Sequence, residues 1–368
     1  MKIICSKSSL LSGVQTVLKA VPSKTTMTIL ECILVDATNN SIKLTANDME
    51  LGIETLIEGE IAEKGIVALE AKLLSDIVRK LPDSNITIET DSSLNTKITC
   101  EKSKFNIMGR PGDEFSKLPE IEKYNPLVMS EFTLKEVIRQ TIFSIASNDT
   151  NILMTGELFE IADNSFRIVS LDGHRISIRR IDLKDSYDPV KVIVPGKTLN
   201  EVSKILSGDT DKDVNIYMTD KHILFEFDKT IVVSRLIEGE YFKVDQMLSN
   251  DFETKFVINK KEFLDCIDRA TLLISESDKK PIILNVTDEN IQLKITSQIG
   301  NMNEDIDITK SGKDIMIGFN PKFLIDALKV IDDESITLYM VNPKAPCFIK
   351  NDNETYNYLI LPVNFNSF

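Results

Sequence analysis

The sequence is poor in the residues that usually carry chemistry. Histidine occurs twice in 368 residues, at His174 and His222. Ser-His-Asp and Cys-His arrangements need a base beside a nucleophile and an acid to orient it. Asp172-Gly173-His174 sets an acid two residues from a histidine, but neighbours on a tight turn do not face each other. The cysteines are five: Cys5, Cys32, Cys100, Cys266 and Cys347. They are scattered, odd in number and contain no C-x-x-C, so neither a zinc site nor a redox pair is signalled. Buried free thiols are expected. No run of about 18 apolar residues occurs, which excludes a membrane-spanning helix. The opening Met1-Lys2-Ile3-Ile4-Cys5-Ser6-Lys7 lacks the apolar core and small-residue site of a secretory signal, so a cytoplasmic protein with no membrane association is expected. Excess positive charge is missing too: 43 Lys and Arg against 57 Asp and Glu leave −14. Phosphate contacts need Lys and Arg. Composition therefore speaks against a tight DNA binder, unless charge is segregated by face or the binding is topological.

What the chain does have is a threefold repeat. With 42% apolar residues it can build cores, and its length suits two to four domains. Ala71–Leu81, Gly196–Leu206 and Pro321–Ile331 are copies of one helix, 125 residues apart. Leu74, Ile77 and Leu81 match Leu199, Val202 and Leu206, then Leu324, Ala327 and Ile331, one apolar face at i, i+3, i+7. A second helix starts each unit. Its stripe is Leu10, Val14, Val17 and Leu18 in the first copy and Leu134, Ile138, Thr141 and Ile142 in the second. Leu264, Thr271 and Leu272 mark a weaker third. Alternating β-branched segments follow the helices, among them Ser41–Thr45, Phe166–Ser170 and Ile291–Thr296, and read as half-buried strands. Boundaries fall in turn-rich stretches near 123–126 and 248–251, giving units 1–125, 126–250 and 251–368. The expected class is α+β, with antiparallel sheets packed on helix pairs.

Gly196-Lys197-Thr198 looks like the end of a phosphate-binding loop. The first glycine of that motif would be Lys191, and Lys197 is the counterpart of Lys72 and Lys322, neither of which follows a glycine. The repeat explains Lys197 better than nucleotide binding does. On the repeated helix Lys72 and Arg79, Lys197 and Lys204, and Lys322 and Lys329 each lie seven apart on one face. One reading is a surface touching phosphates without reading bases. The other is a solvated face, with Asp76, Glu201 and Asp326 placed for i,i+4 ion pairs. Two further clusters differ in sign. Lys102 and Lys104 flank Phe105–Met108 in the first unit, whereas Glu304, Asp305 and Asp307 line 303–308 in the third. Opposite charges on terminal units suit head-to-tail association, and ordinary surface charge is the alternative.

Asp172-Gly173-His174-Arg175, Gly112-Asp113-Glu114-Phe115 through Leu118-Pro119, Ile317-Gly318-Phe319-Asn320 and Leu359-Ile360-Leu361-Pro362-Val363 occur in order on this repeat. Together they resemble the motifs of the bacterial DNA sliding clamp, the beta subunit of the replicative polymerase, along the whole chain. The resemblance implies three clamp-type domains per chain and a head-to-tail homodimer. Paired helices line a ring around non-specifically held double-stranded DNA, and sheets form its outside. It implies no cofactor and no active site. It also implies polymerase subunits and a clamp loader as partners, joined through short apolar peptide motifs. By position the peptide cleft comprises Met154, Leu171, Gly173, His174, Arg175, Ile176, Phe242, Gln246, Met247, Asn320, Phe323, Pro346, Leu359, Ile360, Leu361, Pro362 and Val363. The DNA-facing set is Lys24, Lys72, Arg79, Lys80, Asn148, Lys197, Lys204, Lys322 and Lys329. The dimer contact sets Lys102, Lys104, Phe105 and Ile107 against Leu273, Ile274, Glu304, Asp305 and Asp307. Phe242, Gln246 and Asn364 depart from the family's commoner Pro, Arg and Arg. A non-encircling protein-binding scaffold, and an NTPase or hydrolase using Lys197 or His174, are the competing readings.

Overall fold

In the computed structural model residues 1–147, 151–274 and 280–365 are described. Their helices come in pairs, one pair per repeat: α1 (Lys7–Val17) and α2 (Ala71–Lys80), α3 (Glu131–Arg139) and α4 (Gly196–Ile205), α5 (Lys260–Thr271) and α6 (Pro321–Val330). Local chemistry sets where they start. Ser6 caps α1 by accepting from the Ser9 N–H, Ser130 caps α3 from Thr133, and Asn259 caps α5 from Glu262. Glu70 takes the Lys72 and Leu73 N–H groups of α2, and Asn320 takes that of Lys322, with Pro321 opening α6. Each such cap stabilises its helix by about 1 kcal/mol.

The helix faces follow the apolar spacing, with one exception. Helix α2 buries Leu74, Ile77 and Val78, and α6 buries Leu324, Ala327 and Leu328. In α5 the buried stripe is Phe263, Cys266, Ile267 and Ala270. The expected stripe through Leu264, Thr271 and Leu272 is displaced by one residue, and Leu272 is 78% exposed. Phe263 and Cys266 bury more apolar surface than Leu264 alone, so they set the rotation of the helix.

Two compact units form, and they cut across the repeat: Met1–Leu134 with Lys197–Leu236, and Lys135–Gly196 with Ile237–Phe368. Sheets that cross repeat boundaries cause this. In the first unit a nine-stranded antiparallel sheet joins strand Leu51–Ile57 of the first repeat to strand Thr230–Arg235 of the second, with Ile53 opposite Val232. The same unit holds a five-stranded sheet that ends on strand Ser103–Met108. In the second unit a seven-stranded sheet joins Arg175–Pro195 of the second repeat to Tyr356–Ile360 of the third, with Ile176 opposite Leu359. A four-stranded sheet of that unit ends on strand Gly300–Asp307. Its core gathers α5, α6 and the third-repeat strands around Phe256, Phe263, Phe319 and Tyr358. All five cysteines are buried free thiols. Burial pushes Cys266 and Cys347 up to about 12.

Candidate functional site

Within the second unit, a concavity of about 360 Å³ opens beside the turn after strand Gly156–Leu171. The turn is built by Asp172, whose carboxylate accepts the His174 and Arg175 N–H groups and the Arg175 Nε–H. Gly173 sits at φ +83°, a conformation that glycine adopts without strain. Asp172 is thereby committed to Arg175 and does not orient His174 for catalysis. The Leu361 N–H donates to the His174 carbonyl at 2.9 Å and fixes the exit of the last strand against this turn.

The walls are Met154, Leu171, Gly173, His174, Arg175, Ile176, Phe242, Met247, Pro346, Leu359 and Leu361. Beneath them lies a cluster that includes Leu158, Val169, Ile178, Tyr241, Val244 and Phe348. The lining is almost wholly apolar, with two flexible methionines, so it suits aliphatic or aromatic side chains of a peptide. Arg175 is buried but satisfied. It pairs with Asp172 at 2.9 Å and Asp326 at 2.7 Å, and donates to the Phe143 carbonyl. Its guanidinium lies 4.6 Å from the Phe323 ring centre, and His174 stacks on that ring at 5.9 Å.

Six other residues of the expected cleft lie elsewhere. Phe323 lines a neighbouring concavity of about 380 Å³ that shares His174 and Arg175. Asn320 and Val363 line a third, with Lys322 and Lys329. Gln246 is exposed on the short helical turn Val244–Met247 and Pro362 is half-buried past the last strand; neither lines the concavity. Ile360 does not belong to the wall at all. Strand alternation turns it, 1% exposed, into the opposite core, while Leu359 faces the cleft.

Lys24, Lys72, Arg79, Lys80, Lys197, Lys204, Lys322 and Lys329 are all exposed, and Asn148 lies outside the described residues. The expected i,i+4 pairs do not form. Arg79 pairs with Asp76 at 2.6 Å and Lys204 with Glu201 at 2.8 Å, both at i,i+3, while Asp326 goes to Arg175. Lys197 pairs with Asp48. Among the described residues no carboxylate lies within ion-pair distance of Lys72, Lys322 or Lys329. The glycine before Lys197 has a packing cause: a Cβ on Gly196 would sit 2.8 Å from the Thr155 carbonyl and closer still to Ile145.

The charged clusters fall on bare sheet edges. Strand Ser103–Met108 carries Lys104 and exposed Phe105, with Lys102 just before it and Ile107 half-buried. Strand Gly300–Asp307 carries Asp305 and Asp307 outward. Glu304 instead faces its own helix and pairs with Arg269. Leu273 and Ile274 are half-buried against the third-repeat core. Sequence reasoning passed over Met108 and Ile299, 67% and 69% exposed at the ends of these strands. Large apolar side chains bared at a strand end were the available signal. Among the described residues no three His, Cys, Asp or Glu gather as a metal site, and no helix is long and apolar enough to cross a membrane.

Three copies of a two-helix, sheet-edged domain, with an apolar cleft in the second unit, define a clamp-type α+β protein. Family models of the DNA polymerase III beta subunit match in chain order: the N-terminal domain at 1–119, the central domain at 129–243 and the C-terminal domain at 245–364. The chain is 34% identical over 376 residues to the beta sliding clamp of Bacillus subtilis, covering 99% of each. The beta sliding clamp of Staphylococcus epidermidis is 33% identical over 374 residues, again with 99% of each covered. A crystal structure of a putative DNA polymerase III beta subunit from Eubacterium rectale superposes with a TM-score of 0.97 at 69% identity, covering 99% of this chain and 100% of that one. The Bacillus subtilis sliding clamp structure gives a TM-score of 0.96 at 33% identity, with both chains fully covered. The chain therefore belongs to the DNA polymerase III beta subunit family. It is a DNA sliding clamp, a replication protein that associates with DNA and polymerase.

Proposed function

We propose that two copies join head to tail, strand Ser103–Met108 of one against strand Gly300–Asp307 of the other, into a ring that encircles duplex DNA. The observation that carries this is a regularity of strand pairing. The first and second repeats are joined by Leu51–Ile57 on Thr230–Arg235, and the second and third by Arg175–Pro195 on Tyr356–Ile360. The counterparts left over are Gly300–Asp307 and Ser103–Met108, the two bare edges of opposite charge. An exposed edge is a template for another strand, and a repeated heterologous contact closes when its rotation allows.

The register follows from the repeat. Aligning the ladders on both sides sets Lys102 opposite Asp305, Phe105 opposite Met302, Asn106 opposite Asn301 and Ile107 opposite Gly300. Phe105 and Met302 then share one face, near Leu273, and Lys102, Lys104, Asp305 and Asp307 share the other. A shift by one residue would reverse that order.

In this reading the ring holds DNA topologically, with Lys24, Lys72, Lys322 and Lys329 giving weak contacts to phosphate. Domains 1–125, 126–250 and 251–368 make up each half-ring. The cleft takes short apolar peptides of polymerase subunits and of the loader that opens the ring. Tethering turns repeated rebinding into an intramolecular event at high effective concentration. The protein works in the cytoplasm and catalyses nothing itself.

The test uses two cysteine pairs, with the native thiols buried. Asn106→Cys with Asn301→Cys should cross-link between chains far more readily than Asn106→Cys with Asn303→Cys. The cross-linked ring, once loaded, should stay on nicked circular DNA and slide off linear ends. A monomer by light scattering, preference for the shifted pair, or equal retention on both DNAs would refute the arrangement.

A further inference from the structure

The cleft wall made by Phe242 and Met247 sits on a short segment with little regular structure of its own. Tyr241 and Val244 anchor it from below, and Tyr241 packs edge-on against Phe242. A side-chain ion pair holds it as well. Arg167, 9% exposed in strand Gly156–Leu171, donates to Asp245 at 2.7 Å and 3.4 Å. Arg167 is itself held by Glu160 at 2.8 Å, and Glu160 by Lys191 at 2.7 Å. Asp245 is 74% exposed and lies between Val244, beneath the cleft, and Met247, which lines it.

The internal repeat supplies the comparison. Phe115-Ser116-Lys117-Leu118-Pro119 of the first repeat matches Tyr241-Phe242-Lys243-Val244-Asp245 of the second. Where the second has Asp245 the first has Pro119, and where the second has Arg167 the first has Lys43. Lys43 pairs with Glu54 on the adjacent strand, not with the segment. In the first repeat Leu118 and Ile121 pack on Tyr217, Leu224 and Val233, so the segment is held by its own apolar side chains. Both ends of the latch thus differ together, in the repeat whose segment lines a cleft.

We propose that Arg167 is a positioning residue for the cleft: through Asp245 it fixes the Phe242–Met247 wall, so that peptide binding need not order it. The proposal rests on the cleft being a peptide site. Without the latch the binding peptide would have to immobilise two rotamer-rich wall side chains, which should weaken Kd about tenfold.

The probe is a fluorescein-labelled pentapeptide containing Leu and Phe, titrated by anisotropy onto the full chain. Arg167→Met and Asp245→Asn should each weaken binding about tenfold, with the double variant no worse than either single. Arg167→Lys should recover part of the loss, and trypsin should cut faster after Lys243 in the weakened variants. Asp245 is exposed, so Asp245→Asn tests the idea even if Arg167→Met fails to fold. Leu361→Asp, within the cleft, should abolish binding. If it does so while Asp245→Asn binds within twofold of wild type, the latch is refuted and the cleft stands. If wild type does not bind, or Leu361→Asp binds equally well, the cleft reading falls and the latch with it.

Discussion

Replacing Glu157 by Gln should reverse a pH-dependent loss of stability. Glu157 has no solvent exposure, and neither carboxyl oxygen has a hydrogen-bond partner. Thr141 offers the nearest hydroxyl, but it donates to the Val137 carbonyl at 2.8 Å. Burial therefore holds the Glu157 carboxyl well above its ordinary 4.5, outweighing the opposing influence of Thr141. In the unfolded chain the group ionises near its ordinary value; in the folded chain it keeps its proton. Below that value both states are protonated and nothing is lost. Above it the unfolded state binds fewer protons than the folded one, so stability falls by about 1.4 kcal/mol per pH unit until the folded carboxyl itself ionises. Glutamine cannot ionise, which removes this slope. Its buried amide brings donors without acceptors, at a fixed penalty of about 1–3 kcal/mol. The variant should therefore be the weaker protein near pH 5 and gain on wild type as the pH rises, until the folded carboxyl ionises. The assay is urea denaturation followed by far-ultraviolet circular dichroism at several pH values. Other groups titrate alike in both proteins and cancel in the difference. A difference that does not change with pH would mean that the carboxyl is solvated or ionised, and would refute the reasoning.

Two further outcomes can be checked. Arg175→Met leaves Asp172 and Asp326 without their shared cation and should destabilise the second unit by about 3–5 kcal/mol, read as a lowered midpoint in the same denaturation. Changing Lys72, Lys322 and Lys329 to Ala should flatten the salt dependence of duplex binding by about 0.9 in log–log slope for each phosphate no longer neutralised, measured by anisotropy across a KCl series; an unchanged slope would take these residues off the DNA face.

Much of the fold was legible because burial leaves periodic marks. The i, i+3, i+7 spacing located α2, α4 and α6, and β-branched alternation located strands Ile42–Asn47, Gly156–Leu171 and Asn290–Ser297. The errors have physical causes. The stripe of α5 was misread because Leu272, apolar at a helical interval, ends up in solvent, while Cys266 and Ala270 face the core. Asp326 was assigned to Lys322 by local spacing, but its partner Arg175 lies 151 residues away and is visible only in three dimensions. Ile360 counted as cleft because its neighbours did, although alternation alone reverses it. Glu157 left no mark at all, since a carboxylate inside a strand reads as an outward residue until its burial is known.

The pairing of Leu51–Ile57 with Thr230–Arg235 has a consequence for synthesis. Thr55 and Thr230, whose hydroxyls bond across that seam, are 175 residues apart. A ribosome adding about 5–20 residues per second needs about 9–35 s to bridge that interval. Through that time strand Leu51–Ile57, paired on one side with Ile42–Asn47, presents a bare second edge that the chain's own later half has yet to cover. Translation order thus leaves the first unit of this clamp unfinished for longer than most small domains take to fold.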